Sequence, residues 1–221
     1  DFIIGRAILK NSSVLVAETQ IGVDEYLNLD SSLENKEILI LSPPFDTDEY
    51  QDLPLKGNFR KKYDISEDLR VISFLGRVHY IKGNDFLIKG FASYVKNNQN
   101  TKLVIIGPDD GHMEDCKKLI KQLKIEEYVI FTGFLGGEYK NSALLDSDIV
   151  VQLSRQEQGA WAPLEAVLCG TPIIVTDHTG TGEDIKRMDA GYLVKFDDIS
   201  GLSKIFSLIF DNYSDALKKN H

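Results

Sequence analysis

The sequence contains 221 residues, of which 43% are hydrophobic, and this is enough to bury one ample core or one core and part of a second. Its formal charge of −9 repels nucleic acid and anionic lipid in general, so a ligand that carries phosphate requires a local cluster of cationic side chains. No run of residues approaches the roughly 18 consecutive apolar positions of a membrane span. We therefore expect a globular protein without a nucleic-acid partner.

The cysteines and the first residues predict a cytoplasmic location. Cys116 and Cys169 lie far apart, without a CxxC motif or a matching pair of histidines, so we expect buried thiols rather than zinc or redox groups. The first six residues lack the basic-then-apolar order of a signal peptide, and reduced cysteines are typical of the cytoplasm. Because the sequence begins with Asp1 rather than Met, we expect it to be part of a longer protein.

Residues 1–55 show a weak pattern. Two short apolar runs, at residues 13–17 and 38–41, predict strands, and the segment Pro43-Pro44-Phe45-Asp46 interrupts the chain after them. About two strands and two helices are too few for an independent core. We interpret residues 1–55 as the tail of a preceding domain with a linker, packed on the rest of the chain or on a missing partner.

Residues 56–221 show the pattern of a doubly wound parallel sheet, because short β-branched runs alternate with amphipathic stretches. The predicted strands are residues 71–75, 103–106, 129–132, 149–153, 172–176 and 192–194. The predicted helices are residues 85–96, 114–124, 139–145 and 163–169. The sequence therefore predicts a Rossmann-like α/β fold.

The loops after the strands are the expected location of a site, since parallel sheets bind ligands at the carboxyl ends of their strands. Four of these loops contain glycine, at residues 76–83, 107–111, 133–137 and 154–162. Several glycine loops at one edge indicate that the backbone approaches a ligand closely.

The first of these loops places two cations between a strand and a helix. Gly76-Arg77 and Lys82-Gly83 offer positive charge and flexible backbone at the start of a helix, an arrangement that suits a diphosphate. The alternative is that Arg77 and Lys82 are only solvated charges in a loop.

Two glutamates eight positions apart flank the predicted start of the fourth helix at Pro163, which is a favoured first helical residue. Glu165 falls in the first turn of that helix and is alternatively a capping charge. Glu157 lies in the preceding glycine-containing loop, where a carboxylate can accept hydrogen bonds from sugar hydroxyl groups. The two carboxylates can therefore hold a hexose and a ribose.

Together these segments resemble the group 1 retaining glycosyltransferases of the GT-B fold, over Pro43 to about Val194. The matching segments are Gly76-Arg77 with Lys82-Gly83, Ile106-Gly107, Phe131-Thr132-Gly133, Ser154 with Glu157, Leu164-Glu165-Ala166 and Cys169-Gly170-Thr171-Pro172-Ile173-Ile174. The resemblance implies that residues 56–221 are the C-terminal domain that binds a UDP-, GDP- or ADP-linked sugar. It also implies that residues 1–55 end the N-terminal acceptor domain.

The resemblance implies a catalytic role for three residues. Arg77 and Lys82 would bind the donor diphosphate and stabilise it as it leaves, without a metal or other cofactor. Glu157 would contact the transferred hexose, and Glu165 the ribose. The other implied donor-binding residues are Gly76 in the loop at residues 76–83, which we call the phosphate loop, Gly159, Ala160 and Leu164 near sugar and phosphate, and Gly133, Phe134 and Leu135 beside the base.

The sequence departs from the family at the donor loop, where Gln158-Gly159-Ala160-Trp161 replaces the usual Phe-Gly, so the sugar is not implied. Trp161 either stacks on a sugar or covers the core. The segment from His178 to Glu183 is similar to a glycine-rich turn of the family. A glycan or lipid acceptor would bind through the missing N-terminal domain, which would also mediate any peripheral membrane association. We therefore expect this chain alone to bind donor weakly and to transfer nothing.

Other functions have less support in the sequence. Asp46-Thr47-Asp48 imitates a metal site of another glycosyltransferase fold, and Asp109-Asp110 imitates a metal pair, but neither has suitable surroundings. The loop at residues 76–83 lacks the GxGxxG pattern of dinucleotide binding, and the histidines lack a partnered nucleophile, although His79 lies beside the expected phosphate site. The alternatives that remain are a sugar-nucleotide epimerase or phosphorylase, and a noncatalytic module that binds nucleotide sugars.

Overall fold

A computed structural model of the chain, which describes residues 2–41, 44 and 46–219, contains a two-stranded and a six-stranded parallel sheet. The expected chain interruption at Pro43 and Phe45 lies outside the described residues. The strands are β1 Val14–Ala17, β2 Glu37–Ile40, β3 Arg70–Leu75, β4 Thr101–Ile106, β5 Val129–Gly133, β6 Ile149–Gln152, β7 Ile173–Thr176 and β8 Tyr192–Val194. The helices are α1 Phe2–Asn11, α2 Gln20–Leu29, α3 Asn58–Lys62, α4 Asn84–Val95, α5 Met113–Leu123, α6 Gly137–Leu145, α7 Trp161–Leu168, α8 Gly180–Met188, α9 Ile199–Asp211 and α10 Tyr213–Lys218.

The larger sheet confirms the predicted doubly wound α/β fold. Its strand order is β5-β4-β3-β6-β7-β8, and all its pairings are parallel. The chain winds outward from β3 in one direction and then returns to β6 to wind outward in the other. The topological switch point therefore lies between β3 and β6, and a doubly wound sheet binds its ligand at such a crevice.

Helices cover both faces of the sheet, as the continuous apolar strands predict. Alternate residues of β3 point to opposite faces: Ile72 and Phe74 pack in the core beneath α4, α5 and α9, whereas Val71 packs in the core beneath α3 and α6. Cys116 and Cys169 are buried as thiols, and burial raises the pKa of each to about 12.

The glycine-rich segment from His178 to Glu183, which is similar to a turn of the family, begins in a turn at His178 and continues into α8. Thr179 is the N-cap of α8, because its side-chain oxygen accepts a hydrogen bond from the Gly182 amide at 3.1 Å. This cap satisfies one of the unpaired amides at a helix start and outweighs the low helix propensity of the two glycines.

The first 41 residues pack on the larger unit through α2, which follows β1. Glu25 on α2 accepts hydrogen bonds from Gln156 at 2.9 Å and Gln158 at 2.6 Å. The β1–β2 sheet keeps one face open to solvent, with Val14 and Val16 exposed. The domain boundary at residues 55 and 56 stays a prediction. Within the described part of the chain, every helix is too short or too polar to cross a membrane.

Candidate functional site

The loops that follow β3 and β6 meet at the switch point of the sheet. Gly83, with a φ of +67°, closes the first loop, and a Cβ at this position would overlap the carbonyl oxygen of Leu153. The Arg155 amide donates a hydrogen bond to the Ile81 carbonyl at 2.8 Å. Because only glycine permits this approach, Gly83 determines how closely the two loops pack.

Lys82 and Glu157 form an ion pair where these loops meet, and both side chains are largely buried. The Glu157 carboxylate also accepts a hydrogen bond from Ser154 Oγ at 3.3 Å, and Ser154 Oγ accepts one from Gln152 at 3.0 Å. The structure thus brings together a predicted phosphate ligand and the predicted hexose ligand. Each neutralises the charge of the other.

Arg77 lies on the same loop but points to the neighbouring strand end. Its guanidinium pairs with Asp110 at 2.5 Å, and 65% of its side chain is exposed. Val78 pairs with the loop after β4, since its amide donates to the Pro108 carbonyl at 2.9 Å, and this pairing brings Asp110 within reach. A polyanion at the site would therefore compete with one carboxylate for Arg77 and with another for Lys82.

The two aspartate pairs that imitate metal sites have local partners. Asp109 accepts hydrogen bonds from the backbone amides of Met113, Gly111 and His112, and these bonds lower its pKa despite opposing desolvation. Asp46 accepts from the Asp48 amide at 3.0 Å. Among the described residues, no three His, Cys, Asp or Glu side chains group as metal ligands.

Arg155, in the loop after β6, holds that loop against the loop after β3 and the start of α4. Its guanidinium forms two hydrogen bonds to Asp85, at 2.8 and 2.7 Å, donates to the Tyr80 carbonyl at 2.6 Å and lies 3.7 Å above the Tyr80 ring. Burial alone would raise the pKa of Asp85, but the hydrogen bonds and charge of Arg155 outweigh it and lower that pKa. A bidentate pair of this kind orients both side chains strongly.

Helix α7 begins at Trp161, so the prediction of Pro163 as its first residue is wrong by two positions. Ala160 is the N-cap, and its amide donates to Thr181 Oγ1 at 2.8 Å, a bond to α8 that orients the chain as it enters α7. Glu165 consequently lies in the second turn of the helix rather than the first. A capping role for Glu165 is thereby removed.

A cavity of about 240 Å³ lies between the phosphate loop and the start of α7. Its lining combines both predicted cations with the positive end of a helix, a combination that favours an anion. The lining residues are Leu75, Gly76, Arg77, Lys82, Gln152, Gly159, Ala160, Trp161 and Ala162. Trp161 lines this cavity and is 49% exposed, so stacking on a sugar and covering the core both stay predictions for it.

Glu165 is 8% exposed and is held by residues of two other segments. Tyr50 Oη donates to Glu165 Oε1 at 2.8 Å, and Lys140 Nζ donates to the same oxygen at 2.5 Å. Lys140 Nζ also lies 3.2 Å from Tyr50 Oη. Glu165 is therefore a buried carboxylate that accepts two hydrogen bonds.

The predicted base-binding residues follow β5. Gly133 ends that strand with a φ of +69°, and its carbonyl accepts from the Gly107 amide at 2.9 Å. Phe134 is 75% exposed, whereas Leu135 packs on the core beneath α3 and α6. An exposed aromatic ring here offers a stacking surface for a base. Leu164, the remaining predicted residue, is half-buried within α7.

Several residues that shape the site carried no signal in the sequence. Tyr50 lies 115 positions from Glu165, and Lys140 lies 25 positions from it, so no local spacing relates them. Asp85 and Arg155 are likewise 70 positions apart. Only the fold brings these side chains together.

The chain matches the family model described as Glycosyl transferases group 1 over residues 56–220. It is 35% identical over 134 residues to an uncharacterised glycosyltransferase of Methanocaldococcus jannaschii, covering 60% of this chain and 33% of that protein. It is also 31% identical over 144 residues to the N-acetyl-alpha-D-glucosaminyl L-malate synthase of Bacillus anthracis, covering 65% of this chain and 37% of that protein. The chain thus spans about a third of the length of these relatives.

The fold is also similar to solved structures. The HepE protein of Anabaena, solved in complex with UDP and glucose, superposes with a TM-score of 0.87 at 17% identity, covering 99% of this chain and 59% of that one. A sucrose-phosphate synthase from Thermosynechococcus elongatus has a TM-score of 0.85 at 19% identity, covering 99% of this chain and 54% of that one. At such identities the likeness shows a shared fold.

Proposed function

The chain belongs to the group 1 glycosyl transferases, and from this we propose that it is the donor-binding part of a retaining enzyme that uses a nucleotide-diphosphate sugar. The observation that carries the proposal is the cavity between the phosphate loop and α7, which Arg77, Lys82 and the positive end of the helix all line. Two cations and a helix start provide the charge that a diphosphate requires.

Exchange of ion pairs is the binding step that we propose. The diphosphate displaces Glu157 from Lys82 and Asp110 from Arg77, because a phosphate group carries more charge than one carboxylate. Glu157 then lies free beside the cavity and accepts a hydrogen bond from a hydroxyl of the hexose. Binding of the donor thus prepares the group that holds its sugar.

The same cations stabilise the leaving group. As the glycosidic bond breaks, negative charge accumulates on the departing diphosphate, and fixed cations in a half-buried site stabilise that charge more in the transition state than in the ground state. We therefore propose that the reaction requires no divalent metal. An excess of EDTA should leave the rate of transfer unchanged.

The donor is proposed to be a UDP-, GDP- or ADP-sugar. Support for UDP comes from HepE, which was solved with UDP and with UDP-glucose. The acceptor, a glycan or a lipid-linked sugar, would bind through a domain preceding this chain, so we propose that residues 1–221 bind donor and transfer nothing alone. We also propose a cytoplasmic enzyme, in which any peripheral association with the membrane is made by that preceding domain.

Calorimetric titration with UDP-, GDP- and ADP-glucose tests donor binding by this chain. Binding of one donor identifies the base, and absence of binding by all three contradicts the proposal. Proton NMR of the product made by the full-length protein then tests retention, since an α-linked donor should give an α-linked product. Epimerised nucleotide sugar, a requirement for inorganic phosphate, or binding without transfer would instead indicate an epimerase, a phosphorylase or a binding module.

A further inference from the structure

The linker that precedes the larger sheet contributes a side chain that holds Glu165, the residue expected to bind the ribose of the donor. We propose that Tyr50 and Lys140 are positioning residues that hold the Glu165 carboxylate in the orientation that accepts the ribose hydroxyl groups of the donor. This inference rests on the proposed function, and it assigns a role to two residues outside every motif of the sequence.

The geometry shows a carboxylate held at one oxygen. Tyr50 Oη and Lys140 Nζ both donate to Oε1 of Glu165, at 2.8 and 2.5 Å. Tyr50, like Glu165, is 8% exposed, and the Lys140 side chain is largely buried. Two donors on Oε1 fix the rotation of the carboxylate, so Oε2 keeps one direction in which to meet a ligand.

Glu165 lies on the same face of α7 as a residue that lines the cavity. Trp161 lines that cavity, and Glu165 lies four residues later, which places both side chains on one face of the helix. Leu75 connects the two regions, since it lines the cavity and also packs against the apolar cluster that contains Tyr50. On this geometry the carboxylate would meet a nucleoside that extends inward from the helix start.

The protonation of Tyr50 suits it for this role. Burial, together with the hydrogen bond to Glu165, raises the pKa of Tyr50, so its hydroxyl stays protonated and donates across the whole physiological range. Lys140 adds a positive charge whose ammonium lies 5.6 Å from the centre of the Tyr50 ring. Tyr50 thus supplies a hydrogen-bond donor and Lys140 a positive charge to the Glu165 carboxylate, so the ligand supplies neither.

Tyr50 also connects donor binding to the linker. It ends a short 3-10 turn, Asp48–Tyr50, that precedes the larger sheet, and its contact with Glu165 spans 115 positions of sequence. A shift of the linker would move the hydroxyl and release the carboxylate. We therefore expect the ribose site to be complete only when the linker packs against α7.

The test replaces Tyr50 with Phe, which keeps the buried ring and removes only the hydroxyl. Calorimetry would compare wild type, Tyr50→Phe and Lys140→Met for binding of UDP, GDP and ADP and their 2′,3′-dideoxy counterparts. Tyr63→Phe is the matched control, because that tyrosine packs on Phe59 beneath α6, away from the cavity. Thermal melting of each variant establishes that it is folded.

We expect Tyr50→Phe and Lys140→Met each to bind the ribonucleotide about tenfold more weakly, as loss of a hydrogen bond to a charged group implies. The affinity of both variants for the dideoxy nucleotide should equal that of wild type, and Tyr63→Phe should match wild type for both ligands. Equal losses for ribose and dideoxy ligands, unchanged or tighter ribonucleotide binding, or a wild type that does not distinguish the two ligands would each overturn the inference. Failure of the wild type to bind any nucleotide would overturn the proposed function itself.

Discussion

Replacing Gly83 with Ala should destabilise the protein and separate the two loops of the site. The φ of +67° at this position costs a residue with a Cβ about 1–2 kcal/mol. The overlap of that Cβ with the Leu153 carbonyl adds about 1–3 kcal/mol of overpacking. The free energy of unfolding should therefore fall by roughly 2–5 kcal/mol.

Gly170→Ala provides a control that separates backbone strain from overlap. Gly170 has a φ of +74°, nearly that of Gly83, but nothing lies within 4 Å of a Cβ built on it. This variant should lose about 1–2 kcal/mol, the strain alone. Urea denaturation with linear extrapolation gives both free energies of unfolding.

The functional consequence follows from the position of Lys82, directly before Gly83. Displacement of the phosphate loop from Leu153 moves Lys82 away from the cavity, so Gly83→Ala should also bind nucleotide more weakly than Gly170→Ala. If the two variants lose equal stability and bind nucleotide equally, then the close approach of Gly83 to Leu153 does not hold the site together.

Two further variants test the charges of the site. Glu157→Gln releases Lys82 from its ion pair, so UDP should bind about twofold to fivefold more tightly by calorimetry, and weaker binding would contradict the proposed exchange of partners. Arg155→Met should lower the free energy of unfolding by about 2 kcal/mol at pH 7. The pKa of Asp85 is lowered in the folded state, so the Asp85 carboxylate stabilises the fold above its ordinary pKa of about 3.9 and loses this effect as pH falls below that value. The difference in free energy of unfolding between wild type and Arg155→Met should therefore shrink toward pH 3. A difference that stays constant from pH 7 to pH 3 would show that the Asp85 charge contributes nothing.

The strands of the larger sheet were predictable because each is short, β-branched and buried on both faces. Predicted and observed ends differ by two residues at most, as for the strand predicted from residue 103 that begins at Thr101. The helices α3, α8, α9 and α10 were not predicted. For α8 the decisive signal is the single N-cap Thr179, which the adjoining glycines conceal.

The candidate site was predictable where a loop after a strand carries its own charge. Lys82 and Glu157 meet because the carboxyl ends of β3 and β6 are adjacent, a consequence of the strand order. The partners that hold the site were not predictable, since Tyr50 and Lys140 reach Glu165 only through packing of the linker and α6 on α7. Spacing along a sequence carries no information on such contacts.

The proposal that this chain binds a nucleotide-sugar donor is tested most directly by removing both cations of the cavity. Wild type, Arg77→Ala/Lys82→Ala and the control Lys61→Ala/Lys62→Ala, whose lysines line a different pocket on α3, would be titrated with UDP-, GDP- and ADP-sugars by calorimetry. We predict that one donor binds wild type and the control alike and that its binding is lost in the Arg77 and Lys82 double variant. Equal binding by all three proteins, or binding of no donor by any of them, would contradict the proposed site.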